Sequence, residues 1–177
     1  MIAAVVLAAG ASTRFGSPKQ QLLLDEVIER VRAAGSIDEL VVVLGAHHVE
    51  TDARTVRCAE WGQGPGASLR CGLAALGHQA EAAVVILADG PDLAPAAIDR
   101  VVDAWQEGLG EVLAASYGGL RGHPVLLGRA VWSRVPDEGA RALEPVLVAC
   151  DDLGSPGDVD FADDLPGRLR PEDGEQK

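Results

Sequence analysis

The sequence predicts an open α/β fold in which a mostly parallel central sheet carries helices on both faces. Short apolar runs rich in Val, Ile and Leu alternate with segments whose apolar residues recur at helical spacing. Of the 177 residues 47% are hydrophobic but only 3% are aromatic, so small aliphatic residues supply the core. This composition favours helices packed closely on a parallel sheet. We expect one Rossmann-like domain at residues 1–169, followed by a flexible charged tail at 170–177.

Short apolar runs predict seven strands. The first run is β-branched and closes at Gly10, which is typical of a buried strand that leads into a loop. The runs ELVVVLG and AAVVILA predict two further central strands. The predicted strands are residues 2–8, 39–45, 55–58, 82–88, 111–117, 125–127 and 146–149.

Helical spacing and terminal signals predict the helices. We expect Ser68 to cap one helix, and Pro95 to occupy the first turn of another. Gly35 is expected to end the first helix. The predicted helices are residues 24–34, 68–76, 95–107, 130–135, 140–143 and 161–165.

The net charge of −12 argues against a nucleic-acid backbone as the main partner, because such a partner requires a basic face. No apolar run approaches the roughly 18 residues of a membrane span, and MIAAVVLAAG lacks the basic start of a signal peptide. We therefore expect a cytoplasmic protein that binds no membrane. Cys58, Cys71 and Cys150 are odd in number and lack metal-site spacing, so reduced thiols are expected.

The loop after the first strand, LAAGASTRFGSPKQ, has the features of an anion site. Its small residues let backbone amides approach a ligand closely, and Arg14 and Lys19 add two cations suited to phosphate. The spacings GxxxxGK[ST] and GxGxxG are both absent, which disfavours a P-loop kinase and a dinucleotide oxidoreductase. The alternative is an ordinary loop between a strand and a helix.

Acidic residues stand at two places where a metal could bind. Asp89 directly follows an apolar strand in LADGP, where a carboxylate can bind Mg²⁺; the alternative is a simple turn cap. Asp92 is expected to cap the helix that follows. Near the end of the chain, Asp158 and Asp160 alternate and would share one face of an extended segment, so either could complete a metal site or cap a helix.

Two further loops carry candidate ligand contacts. The glycine-rich stretch WGQGPGASLRCGL could admit a flat group, and its Ser68 could either cap a helix or bind a ligand. His123, in LRGHPV, could contact an acceptor or serve as a structural loop residue. His47 and His48 are interpreted as solvated.

Six motifs occur in a fixed order: LAAGxSxRFGxPKQ, WGxGxGxSLRxGL, LADxPxL, GHPVLxGR, DEGAR and DVDxxxDL. Through them the chain resembles the MobA-like nucleotidyltransferase family and is most similar to its molybdopterin cytidylyltransferase branch. The resemblance runs from Ile2 to about Leu165 and implies a Rossmann-like nucleotidyltransferase sheet. It differs at three points: the chain is short after Gln20 and between residues 49 and 56, and Phe161 and Ala162 replace Thr and Pro.

The resemblance also implies the residues of the site. Arg14, Lys19 and Asp89 would form the catalytic group, and Asp89 with Asp160 would hold Mg²⁺ or Mn²⁺. His123 and Arg141, in the stretch 138–141, would face the acceptor. The implied nucleotide-binding residues are Leu7, Ala8, Ala9, Gly10, Arg14, Lys19, Gly66, Ser68 and Gly72.

The implied reaction is in-line attack of a molybdopterin phosphate on the α-phosphorus of an NTP, with release of pyrophosphate. LAAG, rather than LAGG, favours CTP over another NTP. A molybdoenzyme or its maturation chaperone is a candidate protein partner. Two alternatives stay open: a transferase that uses a sugar phosphate or another phosphorylated metabolite, and a non-catalytic protein that binds a nucleotide or cofactor during enzyme maturation.

Overall fold

A computed structural model describes residues 1–10, 17–45, 47–157 and 166–169, with the backbone alone at 17–20. Arg14, Asp160, the predicted helix at 161–165 and the charged tail lie outside the described residues, as does the side chain of Lys19. None of the helices in the described ranges is long and apolar enough to cross a membrane.

The described residues form a seven-stranded sheet in the order β3-β2-β1-β4-β6-β5-β7. Strand β6 runs antiparallel to its neighbours β4 and β5, and the other pairs are parallel. The predicted mostly parallel sheet is therefore confirmed. The strands are β1 (Ile2–Ala8), β2 (Glu39–Leu44), β3 (Arg54–Arg57), β4 (Ala82–Leu87), β5 (Val112–Tyr117), β6 (Leu120–Gly128) and β7 (Val146–Ala149).

Within the described ranges, three α-helices cover the two faces of this sheet: α1 (Ser17–Arg32), α2 (Pro65–Ala75) and α3 (Pro95–Gln106). Helices α1 and α3 share one buried cluster with residues of the sheet, through side chains such as Val27 and Ile98. Helix α2 packs on the opposite face through Leu69 and Leu73. Helices on both faces are therefore confirmed, and in folds of this type ligands bind at the carboxyl edge of the sheet.

The N-terminus of α2 differs from the prediction. The helix begins at Pro65, after Gly64 with φ 123°, so Ser68 lies inside the helix and is not its cap. Proline suits the first helical position because its fixed φ matches that of the helix. A backbone N–H at this position would have no partner within the helix, so nothing is lost by its absence. The predicted helices at 130–135 and 140–143 are 3-10 helices, Arg129–Arg134 and Ala140–Ala142.

Strand β6 begins five residues before its predicted start, directly after a hairpin turn. Gly118 and Gly119 occupy that turn with φ of 60° and 76°, a combination that glycine adopts without steric cost. Because β6 runs against β4, its first residues lie beside the carboxyl end of β4. The start of β6 therefore contributes to the sheet edge at which ligands are expected.

The prediction of reduced thiols is wrong for two cysteines. Cys58, just after β3, forms a disulfide with Cys71 in α2, and their Cα atoms lie 5.7 Å apart. Cys150 is free and buried. The two cysteines are 13 positions apart in the sequence, and this spacing did not reveal their proximity in the fold.

Candidate functional site

The loop after β1 packs against two other segments at the carboxyl edge of the sheet. A Cβ added at Gly45, which follows β2, would lie 2.5 Å from the carbonyl oxygen of Ala9 and 2.8 Å from the Cβ of Trp61. Only glycine permits this approach. Ala9 is buried and Gly10 is exposed, so the chain emerges from the sheet at the predicted anion loop.

Strands β1 and β4 end side by side. The amide of Ala88 donates to the carbonyl of Leu7 at 3.2 Å, and Asp89 follows in an exposed turn. Of the predicted nucleotide-binding residues, Leu7, Ala8, Ala9 and Gly10 therefore lie at the edge that also carries Asp89. The backbone of Lys19 is in the first turn of α1.

The second glycine-rich loop is held by the segment 135–137. The amide of Gly66 donates to the carbonyl of Asp137 at 2.9 Å, and a Cβ at Gly66 would lie 2.0 Å from the carbonyl oxygen of Pro136. Arg70 donates to the carbonyl of Val135 and to the carboxylate of Asp137 at 3.0 and 2.9 Å. The sequence did not reveal this contact because residues 66–70 and 135–137 are far apart in the chain. Nucleotide binding by Gly66 and by the buried Ser68 stays a prediction.

Gly72 has a packing role that the sequence analysis also missed. A Cβ at this position would lie 2.5 Å from Cγ1 of Val5 and 2.8 Å from Cγ2 of Val43. Glycine therefore lets α2 approach β1 and β2 closely. Its assignment to nucleotide binding stays a prediction.

The LADGP turn is joined to the segment that leads toward the terminal acidic motif. The amide of Asp92 donates to the carbonyl of Pro156 at 2.9 Å. A Cβ at Gly90 would lie 3.2 Å from the carbonyl oxygen of Gly157. Gly157 is the last described residue before Asp160, so the chain enters the acidic motif from a point beside Gly90.

The predicted capping role of Asp92 is wrong. Helix α3 is capped by Ala94 without a side-chain hydrogen bond. The carboxylate of Asp92 instead accepts a hydrogen bond from Arg168 at 2.8 Å, and the same guanidinium nitrogen donates to the carbonyl of Pro91 at 3.1 Å. The C-terminal segment 166–169 thus clamps the turn that presents Asp89.

A cavity of about 500 Å³ opens beside the LADGP turn and is lined by Gly90, Tyr117, His123 and Pro156, among others. Nδ1 of His123 lies 3.3 Å from the carbonyl oxygen of Val85 in β4. The hydroxyl of Tyr117 donates to the carbonyl of His123 at 2.8 Å. Burial raises the pKa of Tyr117 to about 12, so this hydroxyl stays protonated at neutral pH.

Arg121, which also lines the cavity, fixes the stretch that carries Arg141. Its guanidinium donates to the carbonyls of Ala140, Arg141 and Leu143 at 2.8, 3.1 and 2.7 Å. Burial lowers the pKa of Arg121, but three carbonyl acceptors suit the charged, fork-shaped group. The side chain of Arg141 is exposed. The sequence did not reveal these contacts of Arg121, which stands two residues before His123.

A family model described as the MobA-like NTP transferase domain matches residues 4–151. The chain belongs to the MobA-like NTP transferase family. It is therefore a nucleotidyltransferase, an enzyme that takes an NTP and a small-molecule acceptor. The matched region contains the start of the first loop, the LADGP turn and the cavity residue His123.

Solved structures agree with this MobA-like assignment. Rv0371c from Mycobacterium tuberculosis H37Rv is 30% identical, with a TM-score of 0.72 and coverage of 92% of this chain and 94% of that chain. A structure of Rv0371c in complex with manganese is 28% identical, with a TM-score of 0.65 and coverage of 92% and 95%. A nucleotidyl transferase from Methanothermobacter, Mth528, shares the fold at 22% identity and a TM-score of 0.72, with coverage of 93% and 94%. A search of the curated proteins found no matching sequence.

Proposed function

We propose that this MobA-like NTP transferase transfers CMP from CTP to the phosphate of a molybdopterin-type cofactor and releases pyrophosphate. One observation carries the proposal. Strand β4 lies between β1 and β6 in the sheet, so the exposed Asp89 at its end stands between the predicted phosphate loop and the cavity of His123. A carboxylate in that position lies where a nucleoside triphosphate and an acceptor would meet.

The residues of this edge suit a hard divalent cation. Asp89 offers carboxylate oxygens at an exposed strand end, the ligand type that Mg²⁺ and Mn²⁺ prefer. Asp160 is three residues beyond Gly157, a path of at most about 10 Å, and Gly157 packs beside Gly90. We therefore assign Asp89 and Asp160 as the ligands. The bound cation would neutralise charge on the phosphates.

The chemistry requires no protein nucleophile. An oxygen of the acceptor phosphate attacks the α-phosphorus, and the bond to pyrophosphate breaks as the new P–O bond forms. Arg14, Lys19 and the backbone amides at 8–10 are assigned to hold the triphosphate in line. His123 is assigned to the acceptor side because its ring is oriented by the carbonyl of Val85.

The choice of CTP and of a molybdopterin-type acceptor rests on the resemblance of LAAG, SLRxGL and GHPV to the cytidylyltransferase branch. The cavity of about 500 Å³ lies within the size range of small-molecule sites in proteins. A molybdoenzyme or its maturation chaperone would then receive the product, and the cytoplasm would be the place of the reaction.

An acceptor-and-nucleotide panel tests the proposal. The full-length protein is incubated with Mg²⁺, a molybdopterin-type acceptor and CTP, GTP, ATP or UTP in turn, and pyrophosphate release is measured against reactions without acceptor. We expect acceptor-dependent release that is fastest with CTP. A parallel reaction contains a sugar phosphate in place of the molybdopterin-type acceptor, and pyrophosphate release in that reaction alone would assign the sugar phosphate as the acceptor. Nucleotide binding without pyrophosphate release under any condition would overturn the proposal.

A further inference from the structure

The disulfide between Cys58 and Cys71 closes a ring around the second glycine-rich loop. The ring contains the stretch WGQGPGAS, in which the resemblance assigns nucleotide binding to Gly66 and Ser68. The amide of Cys58 donates to the carbonyl of Leu44 at 2.8 Å, so one end of the ring is fixed to the end of β2. Cys71 lies in α2, which packs on the sheet.

Trp61 links this ring to the anion loop. It lies against Gly45, and Gly45 in turn lies against the carbonyl of Ala9. The backbone hydrogen bonds of residues 61, 63 and 64 are all local: their amides donate to the carbonyls of Cys58, Glu60 and Trp61. The position of Trp61 relative to α2 is therefore set by the packing of its side chain against the sheet and α2, and by the covalent bridge.

We propose that the Cys58–Cys71 bond is a reversible thiol-modification site that controls nucleotide affinity, with a dithiol reductant as its co-substrate. This inference rests on the proposed function, because it requires an NTP to bind against this loop. In the oxidised form the ring holds residues 59–64 against the sheet edge. In the reduced form that segment loses its covalent closure and is held by its two ends and by the packing of Trp61. Nucleotide binding then has to order it further.

Exposure decides which sulfur is attacked. Cys58 is 1% exposed, whereas Cys71 is partly exposed. A thiolate of the reductant therefore attacks Sγ of Cys71 and expels the thiolate of Cys58. The second thiol of the reductant then attacks the mixed disulfide and releases Cys71. Two electrons and two protons pass from the dithiol to the protein, and the reductant leaves as a disulfide.

The test compares the oxidised and the dithiol-reduced full-length protein. The redox state is verified by alkylation and mass spectrometry, and the Kd of each Mg–NTP is measured by calorimetry. We expect reduction to raise the Kd of the bound nucleotide about three- to tenfold, and reoxidation to restore it. The double variant Cys58→Ser/Cys71→Ser should bind like the reduced protein in both conditions, while Cys150→Ala, which retains the bridge, should respond like the natural protein. Equal affinity of the natural protein in both states would overturn the proposal, whether or not the double variant folds.

A second readout separates this inference from the proposed function. If the oxidised protein binds none of the nucleotides, the proposed function fails, but amide hydrogen exchange of residues 59–64 still tests the ring. Faster exchange after reduction would support the switch, and unchanged exchange would rule it out.

Discussion

The amide of Asp92 donates to the carbonyl of Pro156 at 2.9 Å. This bond joins the turn after β4 to the last described residues before the terminal acidic motif. Arg168 reinforces the junction from the other side, since it donates to Asp92 and to the carbonyl of Pro91. The two acids assigned to one cation are thus carried by segments that are hydrogen-bonded to each other.

Asp89→Asn is expected to abolish most turnover while the fold is retained. The change removes the charge assigned to the cation, and losses of about 100-fold or more in kcat are typical when a group that stabilises transition-state charge is removed. The side chain is exposed, so the melting temperature should change little. Pyrophosphate release and thermal unfolding measure the two effects. Asp103→Asn, an exposed carboxylate on α3, is the matched control, and an active Asp89→Asn enzyme would contradict the metal assignment.

Arg121→Lys is expected to raise the KM for the acceptor about tenfold and to leave the KM for the NTP nearly unchanged. A lysine cannot bond the three carbonyls that Arg121 holds, so the stretch 140–143 loses its anchor beside the cavity. Initial rates over both substrate concentrations separate the two constants. Arg129→Lys is the control, because Arg129 bonds the carbonyls of Gly77 and Ala80 near the start of β4. Equal changes in both KM values would argue against an acceptor-side role.

Gly66→Ala is expected to lower the free energy of unfolding by about 1–3 kcal/mol, the usual range for overpacking. The new Cβ would meet the carbonyl oxygen of Pro136 at 2.0 Å, which forces the two backbones apart. Gly62→Ala in the same loop should be nearly neutral because nothing lies within 4 Å of its added Cβ. Denaturant titrations of both variants measure the difference. Similar stabilities would show that the contact between the loop and the segment 136–137 is not tight.

Asp152 should contribute a pH-dependent increment of stability. Two nitrogens of Arg100 donate to its carboxylate at 2.6 and 2.9 Å, and this pairing lowers the pKa of Asp152 from 3.8 to about 2. Because the unfolded carboxyl binds its proton at the higher pH, the contribution is present above the unfolded pKa and is lost as the pH falls toward the folded one. The difference in melting temperature between the natural protein and Asp152→Asn should therefore shrink between about pH 4 and about pH 2. It should also shrink with added salt, since the pair is exposed. A constant difference across this range would exclude the linkage.

The regular part of the fold could be predicted from the sequence because its signals are local. The run AAVVIL is apolar throughout and β-branched at its Val and Ile residues, and β4 was placed within one residue of its observed end. The start of β6 was missed because Gly122, His123 and Pro124 interrupt the apolar pattern. These residues still belong to the strand, since backbone pairing with β5 does not require apolar side chains. The antiparallel direction of β6 follows from the hairpin at Gly118 and Gly119, which the sequence analysis did not identify.

The positions of candidate site residues that directly follow strands could be predicted from the sequence. Contacts between segments that are distant in the chain could not. Asp89 and His123 come to one edge because β4 and β6 are neighbours in the sheet. The anchors of Gly66 on Asp137 and of Arg121 on the stretch 140–143 join segments that no sequence spacing connects. The Cys58–Cys71 bond belongs to the same class, since only the packing of α2 beside the end of β3 brings the two sulfurs together.

The reversed direction of β6 places one wall of the cavity on a hairpin that lies outside the parallel pairing of β1 with β4. The hairpin at Gly118 and Gly119 stands at the same edge as Asp89, and Leu120 just beyond it is 75% exposed and lines the cavity. Residues inserted at this turn would extend one wall of the cavity without shifting the register of β1 against β4. Changes in the length or side chains of this exposed hairpin can therefore reshape the cavity while the pairing of β1 with β4, which places Asp89, stays as it is.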